Sequence, residues 1–133
     1  MLSCQRYVLD NLELENLANY PDFGLRMQRI LDPTNNFLYV TSETKYEIEK
    51  TGHIFSEILV KAQKNISGKI HFIELSNTDR ENAVFLKRGL KTLHRCDDVI
   101  FAYCVTNKCV MVSSDAGMKE SCEKIGCKLE LIN

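Results

Sequence analysis

Four acidic residues stand where alternating strands and helices would bring them to one place: Asp10, Glu47, Asp98 and Asp115. Clustered carboxylates repel one another unless a hard cation neutralises them. Oxygen donors alone suit Mg²⁺ or Mn²⁺, ions that keep several waters and take up phosphate oxygens readily. Such a centre makes bound water more acidic and stabilises charge on a phosphodiester undergoing in-line displacement. Taken singly, Asp10 and Asp115 are better explained as helix caps. The metal reading rests on all four acids converging.

The elements that must position them are legible in the apolar pattern. Arg6-Tyr-Val-Leu9 is a short buried run ending at Asp10. Leu12, Leu14, Leu17 and Ala18 form a helical stripe that Pro21 interrupts, and Asp22 is placed to cap a second helix carrying Phe23, Met27, Ile30 and Leu31. Phe37-Leu-Tyr-Val40 reads as a second strand. Thr41 or Ser42 then caps a helix over about 43–50, on which Glu43 and Glu49 read as surface charges.

Ile54, Phe55, Ile58, Leu59 and Ala62 give an amphipathic helix, 69–74 a third strand, and Ser76-Asn-Thr78 the start of a helix running to Leu93. Asp97-Asp98 opens an apolar helix. An Asn107-Lys108 turn follows it, and a strand over 109–112 leads through Ser113-Ser114 to Asp115. A final helix over Met118, Cys122 and Ile125, ended by Gly126, precedes a fifth strand over 128–132. This alternation predicts an α/β single domain over 1–133. Its sheet is parallel, of roughly five strands, covered on both faces as a three-layer sandwich. Ligands bind such sheets outside the carboxyl ends of the strands.

With 133 residues, 44% hydrophobic and 26% charged, the chain can bury a sizeable core. Its 17 basic and 18 acidic residues leave a net charge of -1, so any nucleic-acid footprint must be local. Arg80, Lys87, Lys91 and Arg95 offer one, at intervals of seven, four and four residues on a single helix face. An ordinary solvated face accounts for them equally well.

Six cysteines without an apolar leader segment point to a reduced intracellular protein, cytoplasmic or nuclear, and no run reaches membrane-spanning length. Cys104, Cys109, Cys122 and Cys127 have a faintly zinc-like spacing but fall on apolar helix faces and strand flanks, where buried structural thiols are the better account. No glycine-rich phosphate loop follows a strand, which argues against a nucleotide-binding site.

In order and spacing, the chain resembles the PIN domain nucleases along nearly its whole length. Tyr-Val-Leu-Asp10 looks like that family's first strand and acid, and Leu-Tyr-Val-Thr-Ser-Glu-Thr-Lys-Tyr-Glu47-Ile like its second strand and Glu-bearing helix. Asp98-Val-Ile-Phe-Ala-Tyr-Cys-Val, Val-Met-Val-Ser-Ser-Asp115 and the closing Cys-Glu-Lys-Ile-Gly-Cys-Lys-Leu-Glu-Leu-Ile resemble the later motifs.

The resemblance implies a Rossmann-like sandwich and Mg²⁺- or Mn²⁺-dependent endonucleolytic cleavage of RNA, leaving a 5′-phosphate and a 3′-hydroxyl. Asp10, Glu47, Asp98 and Asp115 would hold metal, with Asn11, Asp97 and Ser113 in support, and Asp97 the alternative to Asp98 as the third acid. Expected partners are RNA and a protein inhibitor or other protein. A homodimer is left open, and no membrane partner is expected. In one respect the sequence departs from the family. A polar residue commonly stands two positions after the first acid, where this chain has Leu12, with Asn11 beside Asp10. A PIN-like module that binds RNA or protein without cutting is therefore the alternative reading.

Overall fold

The computed structural model describes residues 4–87 and 95–132; the side chains of 85–87 and 95–98 lie outside that description. The described elements are β1 (Arg6–Leu9), α1 (Asn11–Asn19), α2 (Pro21–Leu31), β2 (Phe37–Thr41), α3 (Ser42–Lys50), α4 (Phe55–Lys64), β3 (Ile70–Ile73), α5 (Asn77–Lys87), α6 (Arg95–Asn107), β4 (Val110–Ser113), α7 (Met118–Ile125) and β5 (Lys128–Leu131). The strands form one sheet in the order β3-β2-β1-β4-β5, every neighbouring pair parallel. This is the expected α/β sandwich with a five-stranded parallel sheet.

From β1 the chain steps outward to β2 and β3, then returns to place β4 on the other side of β1. Right-handed crossovers in opposite directions put their helices on opposite faces. Strand residues alternate between those faces. Leu9, Leu38, Val40 and Val112 pack with Leu14, Leu17, Met27 and Ala62 of α1, α2 and α4. Val8 and Met111 pack with Ile100, Phe101, Cys104 and Cys122 of α6 and α7. Register carries the alternation across the sheet, with Val8 beside both Tyr39 and Met111, and Leu9 beside both Val40 and Val112.

Several local expectations are corrected. Asp22 does not cap α2: Tyr20 holds that position, Pro21 opens the helix where its missing N–H costs nothing, and Asp22 lies in the first turn. Of the Thr41 and Ser42 alternatives, Thr41 is the cap, its hydroxyl accepting the Thr44 N–H, while the Ser42 hydroxyl accepts the Leu75 N–H. The Ser76 start of α5 is a reciprocal capping box, Asp79 accepting the Ser76 N–H at 2.8 Å and Ser76 the Asp79 N–H at 3.3 Å. The expected continuation of α5 to Leu93 lies outside the described residues. α6 begins at Arg95, three residues before Asp98.

Candidate active site at the carboxyl ends of β1 and β4

The strand order reverses between β1 and β4, and in an open α/β sheet the crevice beyond the carboxyl ends at that point receives ligands. Leu9 pairs with Val112, so Asp10 and Ser113 leave neighbouring strands side by side. Asp10 is the N-cap of α1, 6% exposed, its Oδ1 accepting the Glu13 N–H at 3.1 Å. The capping function and a place at the switch point of the sheet therefore coexist in one residue.

On the β4 side, buried Ser113 accepts the Asp115 N–H through its hydroxyl at 3.0 Å, and Asp115 Oδ1 accepts the Gly117 N–H at 2.9 Å. These bonds orient an exposed carboxylate at the strand exit. Asn11 opens α1 and is half-buried. Glu47 is half-buried on α3, which packs against α1 and α6. Asp97 and Asp98 fall in the first turn of α6, and their side chains lie outside the described residues.

Two acids at this edge were misread from sequence or passed over. Glu43, taken for a surface charge, is buried, and Arg80 grips its Oε1 through Nε at 3.0 Å and Nη2 at 2.8 Å. Arg80 is thus an ion-pair partner bridging α5 to α3. Of the other cations on the proposed basic face, Lys91 lies outside the described residues, as do the side chains of Lys87 and Arg95. Glu13, not singled out, is fully buried and accepts both the Ser114 N–H and the Ser114 hydroxyl at 2.7 Å. The spelling Asp10-Asn-Leu-Glu13 before Leu14 and Leu17 is a capping-box pattern that could have revealed it.

The cysteine spacing has a different origin. Cys109 N–H bonds to the Cys104 carbonyl and Cys127 N–H to the Cys122 carbonyl, each at 2.9 Å, with Lys108 and Gly126 at positive φ of 55° and 71° between. Both helices therefore end in a six-to-one turn of the Schellman type, whose hallmark is an apolar contact between just these two positions. Cys127 is pushed up to about 12 by its hydrogen bond with Cys104 and by burial, and Cys122 is raised by its bond with Cys127 and by burial. The four buried thiols are thus packing groups. Among the described residues no group of three or more His, Cys, Asp or Glu side chains is arranged to hold a metal ion.

No family model matches the sequence, and no curated protein matches it significantly. In structure the chain is similar to a chain of VapBC2 from Rickettsia felis bound to a DNA fragment from their promoter, with a TM-score of 0.73 and 15% identity over 97% of this chain and 100% of that one. It is also similar to VapBC-1 from nontypeable Haemophilus influenzae, with a TM-score of 0.65 and 14% identity over 96% and 98% of the two chains. A third likeness is to DNA-bound VapBC from Salmonella typhimurium, at 0.65 and 15% over 97% and 99%. At such identities the likeness is one of fold. The chain has the PIN-like, Rossmann-type fold that its motif order resembles.

Proposed function

We propose that this chain is a divalent-metal-dependent endoribonuclease whose site lies beyond the carboxyl ends of β1 and β4. The observation that supports it most is that Asp10 and Ser113 leave neighbouring strands side by side at the sheet's switch point, with Asp115 two residues beyond Ser113 and each acid already held through Oδ1 by a backbone N–H. This all-oxygen donor chemistry fits Mg²⁺ or Mn²⁺. Asp10, Glu47, Asp98 and Asp115 are the residues we assign to hold the ion, with Asn11, Asp97 and Ser113 in support. A bound ion would supply an activated water and charge neutralisation at the phosphodiester.

The chain's own part is positional. Ser113 fixes the strand exit that carries Asp115, and Asp10 holds the α1 N-terminus, whose partial positive charge favours anions. Lys87, Lys91 and Arg95 are the cations we assign to the RNA backbone, with Arg80 held back by Glu43. The VapBC neighbours are complexes, and we extend from them a protein partner for this chain, while a homodimer remains part of the proposal.

One observation favours a second reading, a PIN-like module that binds RNA or protein without cleavage: Leu12 stands in the α1 first turn and is 47% exposed, with no polar group to offer Asp10. Calorimetry with Mn²⁺ separates the two. The enzyme reading expects saturable binding below millimolar metal; no binding at millimolar Mn²⁺ favours the module.

A further inference from the structure

A carboxyl group removed from water is costly unless hydrogen bonds hold it, so the fully buried Glu13 marks a place where the fold keeps a polar group for a reason. Glu13 sits at the third position of α1, where a capping-box Glu would turn back to its own N-cap. Its Oε1 instead reaches the β4 exit, accepting the Ser114 N–H and hydroxyl at 2.7 Å across 101 residues of sequence. The Glu13 N–H donates meanwhile to Asp10 Oδ1. One residue therefore bonds to Asp10 through its backbone and to the residue before Asp115 through its side chain. Ser114 lies between Ser113, whose hydroxyl takes the Asp115 N–H, and Asp115 itself. Fixing Ser114 fixes the peptide planes that aim the Asp115 carboxylate.

We propose that Glu13 is a positioning residue that locks the Asp115-bearing exit of β4 to the Asp10-capped start of α1. It takes up the orienting task that no polar side chain at position 12 can perform. This rests on the metal-site reading above. Glu13 acts through Ser114 and needs no contact with metal or substrate.

The test uses the full chain and its Glu13→Leu, Glu13→Gln and Ser114→Ala variants, with two readouts: amide hydrogen exchange without metal, and Mn²⁺ affinity by calorimetry. Glu13→Leu is expected to speed exchange at Ser114 and Asp115 by about tenfold or more while Leu9 and Val112 keep their protection. It should weaken Mn²⁺ binding by roughly 10- to 100-fold, the range for residues that orient metal ligands. Glu13→Gln keeps an acceptor oxygen and is expected within about threefold of the parent on both readouts. Should Glu13→Leu fail to fold, Ser114→Ala, which loses only the hydroxyl, is expected to weaken Mn²⁺ binding by about threefold. Unchanged Ser114 and Asp115 exchange overturns the proposal. So does a parent chain that binds Mn²⁺ and a Glu13→Leu (or, if that fails to fold, Ser114→Ala) variant that binds it equally. A parent chain that binds no Mn²⁺ overturns the metal-site reading first, and this proposal with it.

Discussion

The two edges of the sheet hold the two sets of residues whose chemistry the sequence advertises, and they use them in opposite ways. At the carboxyl edge, Asp10, Ser113 and Ser114 stand where β1 and β4 give way to the following segments. Hydrogen bonds there orient side chains, as the Gly117 N–H does for the Asp115 carboxylate. At the amino edge, Cys109 and Cys127 lead into β4 and β5, and hydrogen bonds there close helix ends. Arg6 adds to that closure by donating to the Asn107 carbonyl at the end of α6. The difference teaches that residue spacing alone does not identify a site. Cys-x4-Cys and Asp-x2-Glu are both local helix-terminus patterns, and only topology sets the second beside another strand's exit.

The contrast can be sharpened on the carboxyl side first. Arg80→Ala leaves the buried Glu43 carboxylate without its guanidinium. It is expected to destabilise the chain by about 1–2 kcal/mol, a value kept low because Arg80 is half exposed. Urea unfolding measures it, and an unchanged midpoint would mean that the Glu43 end of α3 is not clamped by this pair.

On the amino side the expected effects are smaller and of opposite sign at equivalent positions. Gly126→Ala forces an L side chain into the left-handed region and should cost about 1 kcal/mol. Lys108→Gly relieves that same strain and should gain roughly 0.5–1 kcal/mol. Equal effects of one sign in thermal unfolding would contradict the shared helix-end geometry.

Much of this fold could be read directly because apolar runs and caps are local: β1 and the Gly126 end of α7 fall where their residues place them. The reading failed where a partner distant in sequence decides. Glu43 looks like any first-turn acid until Arg80 arrives from α5, 37 residues on. Glu13 draws no notice between Leu12 and Leu14 until Ser114 meets it. Asp22 gave way to Tyr20 as cap because Pro21 fixes the first helical position by its own ring. That Asp10 and Ser113 leave neighbouring strands side by side was legible once a parallel sheet was inferred, since strand exits share an edge. The Asp98 side chain, on which a complete centre depends, lies outside the described residues.

The central claim is that the carboxyl edge cuts RNA and the amino edge only builds the fold. Mn²⁺-dependent cleavage of RNA by the parent chain, Asp115→Asn and Cys127→Ala tests both halves at once. Asp115→Asn is expected to lose about a hundredfold or more in rate with its unfolding midpoint preserved, and Cys127→Ala to cleave within about twofold of the parent after losing about 1 kcal/mol of stability. Unchanged cleavage by Asp115→Asn would contradict a nuclease site at the carboxyl edge.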